Sequence, residues 1–565
     1  MATKIYDLNP DQPNKQTSRR KFLKDTSLAI AIASAGTRVS AETPEQTQSA
    51  PTRPTSGPDG NGQSKLFHVV ETTTGKVQGI VNAGIKQFKG IPYGAPTSGK
   101  NRFMPPKPPA AWTGVRECFG YGQISPQTPA NLRGDYGMMI MWDQHPGGVG
   151  EDCLALNVWT PGVNDGAKRP VLVSFHGGGF STGSGNAIGF DGAHLALFGD
   201  VVVVTVNHRL ASFGYTHLAD LGAPPEFAFA GVAGIMDLVA SLQWVHNNIE
   251  NFGGDPNRVM IFGQSGGGAK TSTILATPSA KGLFHRAAVQ SGSTLRLGTR
   301  ETGTRTAEAL LAKLNIPKSR LTDLQKVSWQ ELLEAQTGIA GFAPVVDGAI
   351  IPHHPFDPAA PAESADVPMI ISTTLEDAAL SLTNFNLDEA GLKGLLADRY
   401  SGKGDEILAL YRKHYPQKSP FLIQAQVFTD TGFRRSAITQ AERKAALGKA
   451  PAYMYLWNWE SPGYGGKFGA VHGIDVAASF HHVRSTIMGV GSPSGKVMCD
   501  RLASVWVNFA KTGDPNNPGI PHWPAFNTDT RATMVFDTDT RVESDPRGEI
   551  RKFWDQNPVA SARRG

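Results

Sequence analysis

Residues 258–270 read RVMIFGQSGGGAK, an apolar run, Val259-Met260-Ile261-Phe262, that breaks into Gly263-Gln264-Ser265-Gly266-Gly267 and then into helix-compatible sequence. That order predicts a strand, a tight turn and a helix start, with one serine at the apex. The glycines are steric requirements, because side chains on either side of the apex would collide with the flanking strand and helix. The same geometry lifts the Ser265 hydroxyl above the sheet edge. It also aims the Gly266 N–H, at the positive end of the following helix, toward whatever the hydroxyl attacks. A chain with 63 glycines can produce such a pentapeptide by accident, so partners elsewhere must decide its meaning.

The surrounding chain predicts an α/β fold with a large, mostly parallel central sheet flanked by helices. Short, largely apolar runs rich in β-branched residues recur at 171–175, 201–206, 259–262 and 369–371, and such runs suit strands buried on both faces. Between two of them, Ile235, Leu238, Val239, Leu242 and Val245 recur at helical spacing, which predicts a crossover helix packed on the sheet. Segments around 303–340 and 387–447 are rich in helix formers and sit between late strands, as helical lid or cap insertions would. One domain is expected over 65–557, with a short tail at 558–565. No apolar run approaches a membrane span.

The net charge of +5 is concentrated at the N-terminus, where residues 1–41 carry seven Lys/Arg against three Asp and leave only +1 for the rest. No nucleic-acid surface is implied. Ser18-Arg19-Arg20-Lys21-Phe22-Leu23-Lys24, an apolar stretch at 28–35 and Val39-Ser40-Ala41 resemble a twin-arginine export signal with its cleavage site. A periplasmic or secreted location is therefore expected, with 42–64 a flexible leader rich in Thr, Pro, Gln, Ser and Gly. Cys118, Cys153 and Cys499 allow at most one disulfide; an oxidising compartment would permit Cys118–Cys153, and three buried thiols are the blander account. Their spacing suggests no metal site, and no cofactor is expected.

The run 171–175 leads into His176-Gly177-Gly178-Gly179-Phe180. Glycines at the C-terminal end of a strand leave bare N–H groups facing a small cavity, as a developing oxyanion requires. Gly178, Gly179 and Gly266 are the three candidate donors. The pattern lacks both the G-x-x-x-x-G-K-S/T and the G-x-G-x-x-G phosphate signatures. Residues 131–150, NLRGDYGMMIMWDQHPGGVG, form a Gly-rich loop whose Met138, Met139, Met141 and Trp142 suit either an adaptable apolar substrate wall or ordinary packing.

Taken together, HGGGF, EDCLALNV at 151–158, LQWVHNNIENFGGDPNRVMIFGQSGGG, FHRAAVQSGS at 284–293, GAVHG at 469–473 and WVNFAKTGDP at 506–515 resemble the type B carboxylesterase family. The resemblance covers nearly the whole chain after the leader. It implies the α/β-hydrolase fold, a serine nucleophile at Ser265 and a catalytic base at His472 in Ala470-Val471-His472-Gly473. An imidazole near neutrality can take the serine proton and return it to the leaving alcohol. His176 heads the oxyanion loop and is expected to support it, which leaves His481 and His482 as rival bases. The family's acid follows the V-P strand, here Val367-Pro368-Met369-Ile370-Ile371-Ser372-Thr373-Thr374-Leu375-Glu376-Asp377. Ungapped register favours Asp377, with Glu376 the alternative. The order Ser265, Asp377, His472 is that of α/β-hydrolases.

Departures from the family accompany these matches. The cysteine that usually pairs with Cys153 is replaced by Ser125, Gly266 stands where alanine is usual, and Ser291 matches a serine behind the active site. The expected activity is serine-dependent hydrolysis of a small-molecule carboxylic ester by a monomer or small homo-oligomer. The same triad on this fold can also serve amides, carbamates, lactones or polyesters. Some members have lost the nucleophile and act as binding modules, a reading opposed by intact Ser265 and His472.

Overall fold

In a computed structural model, residues 66–128, 134–142 and 146–559 are described. The expected export signal and leader lie outside them, as does the end of the tail. Among the described residues thirteen strands form one sheet: β1 Phe67–Thr72, β2 Gly75–Asn82, β3 Ile85–Pro92, β4 Val115–Glu117, β5 Ala155–Thr160, β6 Arg169–Phe175, β7 Val202–Val206, β8 Gly254–Gln264, β9 Arg286–Gln290, β10 Met369–Thr374, β11 Ala452–Trp457, β12 Ala532–Phe536 and β13 Arg541–Ser544. Their order is β1-β2-β3-β5-β7-β6-β8-β9-β10-β11-β12-β13, with β4 beside β2. From β7 through β12 every pairing is parallel. The two edges are antiparallel, in β1–β2–β3–β5–β7 and in β12–β13.

The apolar runs occupy the centre because both faces are covered. Val171, Val173 and Phe175 of β6 join Val202, Val204 and Val206 of β7 in one apolar cluster. Leu172, Val203, Met260 and Phe262 point into the other. A two-residue period puts neighbours on opposite faces, and each side chain buried this fully contributes about 1.5–3 kcal/mol. The crossover helix Ala233–Asn248 buries Ile235, Leu238, Leu242 and Val245 against the first cluster. With its flanking turns, Pro225–Phe252 is long and apolar enough to cross a membrane, which corrects the expectation that no stretch approaches that length. Two-thirds of its most apolar window is buried (67%), so its hydrophobicity belongs to the core.

Helices Arg300–Lys313 and Trp329–Gln336 lie between β9 and β10. The second starts on a reciprocal cap, in which the Ser328 hydroxyl accepts from the Glu331 N–H and the Glu331 carboxylate accepts from the Ser328 N–H. Helices Glu389–Arg399, Gly404–His414, Pro420–Thr429 and Arg435–Ala446 lie between β10 and β11, the last two joined by a π-helical turn, Asp430–Arg434. Asp135–Ile140, expected in a loop, is a short helix. Cys118, Cys153 and Cys499 are buried free thiols, so the Cys118–Cys153 bond is not formed. Burial pushes the thiols of Cys118 and Cys499 up to about 12.

Candidate active site

Four parallel strands deliver the functional groups at their C-terminal ends: β6 leads to His176, β8 to Ser265, β10 to Asp377 and β11 to His472. At the end of β8 the chain turns sharply, and Ser265 sits at φ 57°, ψ −121° as the N-cap of helix Gly266–Leu275. A non-glycine residue there costs about 1–3 kcal/mol, so its surroundings must hold it. They do so through the Ser265 N–H, which donates to the Gln290 carbonyl at 2.8 Å, and its carbonyl, which accepts from Ala269 N–H at 3.0 Å. A Cβ at Gly267 would run into the Phe175 carbonyl, and one at Gly292 into the Ser265 carbonyl. The glycines are therefore fixed by backbones packed against backbones.

The acid–imidazole pair arises from sheet register. Parallel pairing of β10 with β11 extends past the strands as a bridge between Glu376 and Val471, with Glu376 N–H donating to the Ala470 carbonyl at 3.1 Å. One residue further on, the Asp377 carboxylate accepts from His472 Nδ1 at 2.6 Å. Its second oxygen accepts from Thr374 N–H and from the Ser291 hydroxyl, both at 3.0 Å. Glu376 points the opposite way. One of its carboxylate oxygens accepts from Lys418 Nζ at 2.7 Å and Gln426 Nε2 at 2.8 Å, and the other accepts from Ala470 N–H at 2.8 Å. Glu376, at φ −118° and ψ 43°, caps a 3-10 turn that begins at Asp377, and across this bend the two carboxylates diverge: only Asp377 reaches the imidazole, while Glu376 ties down the loop that carries it. Two further contacts, which no sequence motif marks, fix that loop: the Tyr136 hydroxyl donates to the His472 carbonyl at 3.0 Å, and the Phe433 ring lies 5.1 Å from the imidazole.

On the other side of Ser265, Gly178 and Gly179 adopt φ 83° and 61°. A Cβ on Gly266 would strike the backbone of Gly179, so the helix start and the glycine loop come together only because residue 266 lacks a side chain. Gly178, Gly179 and Gly266 are thus neighbours. His176 supports this loop: its Nδ1 contacts the Gly177 carbonyl at 2.9 Å and its ring stacks on His208 at 5.0 Å. Its carbonyl accepts from Lys270 Nζ at 2.8 Å. Lys270 is fully buried, and burial holds its amine well below the usual lysine range. Sequence reading passed over Lys270 because a lone lysine inside a helix carries no signal.

Asp475, three residues after His472, is buried as completely as Glu376 and Asp377. Burial, reinforced by the nearby Asp377 charge, raises its carboxyl to about 6, against a hydrogen bond from the Tyr455 hydroxyl at 2.7 Å. The folded chain keeps this proton up to about pH 6 while the unfolded chain releases it near 3.8. Stability from this group is therefore full below that window and falls as pH rises through it. Asp475→Asn, which stays neutral, is expected to flatten the decline in thermal stability between pH 4 and 6 and to gain at most about 3 kcal/mol over the parent at pH 7. Melting curves across that range check this; a parental slope in the variant contradicts it.

The remaining expectations divide. His481 bonds Asp500 at 2.8 Å and His482 the Asp191 carbonyl at 2.8 Å, so neither rival faces Asp377. Met139, Met141 and Trp142 line a cavity of about 320 Å³ together with Ile188, Ile487 and Gly473. Neither Ser265 nor Gly178 and Gly179 contribute to that wall. This cavity borders the His472 loop, with Trp142 packed directly on Gly473. Met138 is 46% exposed and leaves the wall altogether, because the short helix turns it outward as it turns Met139 inward. Among the described residues no group of His, Cys, Asp and Glu could hold a metal ion.

Comparison with known proteins supplies independent findings. Residues 67–554 match the Carboxylesterase family. Para-nitrobenzyl esterase of Bacillus subtilis is 33% identical over 502 residues, 86% of this chain and 98% of that protein. Phenmedipham hydrolase of Pseudarthrobacter oxydans is 31% identical, covering 83% and 94%. Among solved structures, a carboxylesterase of Geobacillus stearothermophilus superposes with a TM-score of 0.74 at 35% identity, over 86% of this chain and 99% of its own. A Clostridium hathewayi esterase, described as able to hydrolyse aliphatic aromatic polyesters, gives 0.75 at 32%, over 87% and 98%.

Proposed function

The chain belongs to the carboxylesterase family, with its α/β-hydrolase fold, and is a carboxylic ester hydrolase; on that premise we propose that it works through an acyl-enzyme on Ser265. The Ser265 oxygen bonds to the ester carbonyl carbon while His472 Nε2 takes the hydroxyl proton. The carbonyl π pair moves onto oxygen, where the N–H groups of Gly178, Gly179 and Gly266 meet it without reorganising. Collapse breaks the bond to the alkoxide, which leaves with the proton from His472. Water then attacks the acyl carbon, His472 accepts its proton and returns it to Ser265, and the acid departs. Asp377 holds the imidazole with Nδ1–H toward itself and stabilises the imidazolium.

The observation that carries this reading is the 2.6 Å Asp377–His472 contact at the ends of β10 and β11, beside a strained serine at the end of β8. An acyl-enzyme is shared by all esters of one acyl group. Methanol should therefore divide that intermediate between methyl ester and free acid in one ratio, whatever the leaving alcohol. A ratio that changes with the leaving alcohol contradicts the mechanism. Substrate class is tested with the same assay across acyl and alcohol sizes, amides and polyesters included.

The N-terminal pattern Ser18-Arg19-Arg20-Lys21-Phe22-Leu23-Lys24 supports export of the folded enzyme to the periplasm or beyond. Expression in a bacterium with this export route should yield a mature N-terminus near Glu42, and an uncleaved cytoplasmic chain would refute it.

A further inference from the structure

On the far side of the π-helical turn from His472 lies a second cavity, of about 140 Å³. Its polar wall is made of Arg434, Arg435, Arg547 and Arg551 together with Asp430, Glu442 and Asp555, and its apolar wall includes Ile438 and Trp554. The acids around it are already engaged: Asp430 pairs with Arg547, Glu442 with Arg531 and Asp555 with Arg551. Arg434 and Arg435 make no ion pair among the described residues. Arg434 is 5% exposed; its Nη2 donates to the Pro546 carbonyl at 3.0 Å, and its Nη1 is buried with no hydrogen-bond partner. Nε of Arg547 is buried and unpartnered as well. Asp430 and Asp545 favour the Arg434 charge from a distance but pair with Arg547 and Arg551; a buried guanidinium with open donors is costly, and a carboxylate meets it with charge-assisted, bidentate geometry.

We propose that this cavity is a binding site for a small amphipathic monocarboxylate, its carboxylate on Arg434 and its apolar part against Ile438 and Trp554. At about 140 Å³ the cavity is close in size to an apolar one of about 150 Å³ that accommodates a benzene ring. The π turn is a local departure from α-helical pairing of the kind that accumulates at functional sites. It places Asp430 and Arg434 on the cavity, and Phe433 of the same turn lies against His472. The site is separate from Ser265 and does not depend on the acyl-enzyme mechanism.

Sodium benzoate is the test probe, with benzamide as its neutral isostere and sodium chloride matching ionic strength. For the full chain, melting temperature should rise saturably with benzoate and not with benzamide. Arg434→Met should weaken the apparent benzoate affinity by about tenfold or more, the worth of a charge-assisted pair. Ile438→Trp keeps every arginine and fills the cavity, so it should abolish the rise even if Arg434→Met fails to fold. Equal effects of benzamide and benzoate, no saturable rise in the parent, or a rise that persists in Ile438→Trp would each overturn the site. A persistent rise that disappears once Ser265 is blocked by an organophosphate would place benzoate at the catalytic centre instead.

Discussion

Ser265→Ala is expected to lower turnover of a short-chain nitrophenyl ester by about 10⁴-fold or more, with the substrate's KM changed far less. The alanine removes the atom that bonds to the acyl carbon, and neither the glycine donors nor His472 can substitute for it. A residue of rate over water should remain, since donors held at Gly178, Gly179 and Gly266 still stabilise an oxyanion raised by water attack. The fold should survive. Ser265 contributes backbone hydrogen bonds to Gln290 and Ala269 that alanine retains. Purified Ser265→Ala protein with parental melting temperature and parental turnover would contradict the assignment.

Asp377→Asn and Glu376→Gln should separate chemistry from architecture. The asparagine can present an amide N–H to His472 Nδ1, which selects the wrong imidazole tautomer, and turnover should fall by about 10⁴-fold. Glu376→Gln leaves the imidazole's own partner intact. It removes the charge facing Lys418, which retains Glu460 at 2.9 Å, and it weakens the clamp on the Ala470 N–H. A loss of about 1–3 kcal/mol in stability is expected, with turnover within about tenfold of the parent. Measuring kcat and urea unfolding for both variants checks the pair. Collapse of turnover in Glu376→Gln with little change in Asp377→Asn would mean that the acid is one residue earlier.

The apolar runs of β6, β7, β8 and β10 were legible because strands buried on both faces are dominated by apolar side chains, with small hydroxyls such as Ser174, Thr205 and Ser372 among them, and that constraint is local. Ser265 was legible for a similar reason, since its glycines answer to backbones a few residues away. The choice between Asp377 and Glu376 depends on how far β10 pairs with β11, a contact across 95 positions, and only a family register could suggest it. Lys270, Asp475, Tyr136 and Phe433 left no trace because their significance comes from where other segments pack against them. The methionine segment was only partly legible. Composition marked it as apolar and adaptable but did not report which face of a six-residue helix turns inward, nor that Met139 and Met141 line a cavity with Gly473.

The central claim is a single nucleophile, and one measurement reaches it most directly. Diethyl p-nitrophenyl phosphate transfers its phosphoryl group to an activated serine, expelling p-nitrophenolate while His472 takes the hydroxyl proton. Mass spectrometry of the digested protein should find one diethylphosphoryl group on the peptide that contains Ser265, formed in step with loss of activity and absent from Asp377→Asn treated for the same time. A modified peptide elsewhere in the chain, or full inactivation with Ser265 unmodified, would contradict the account.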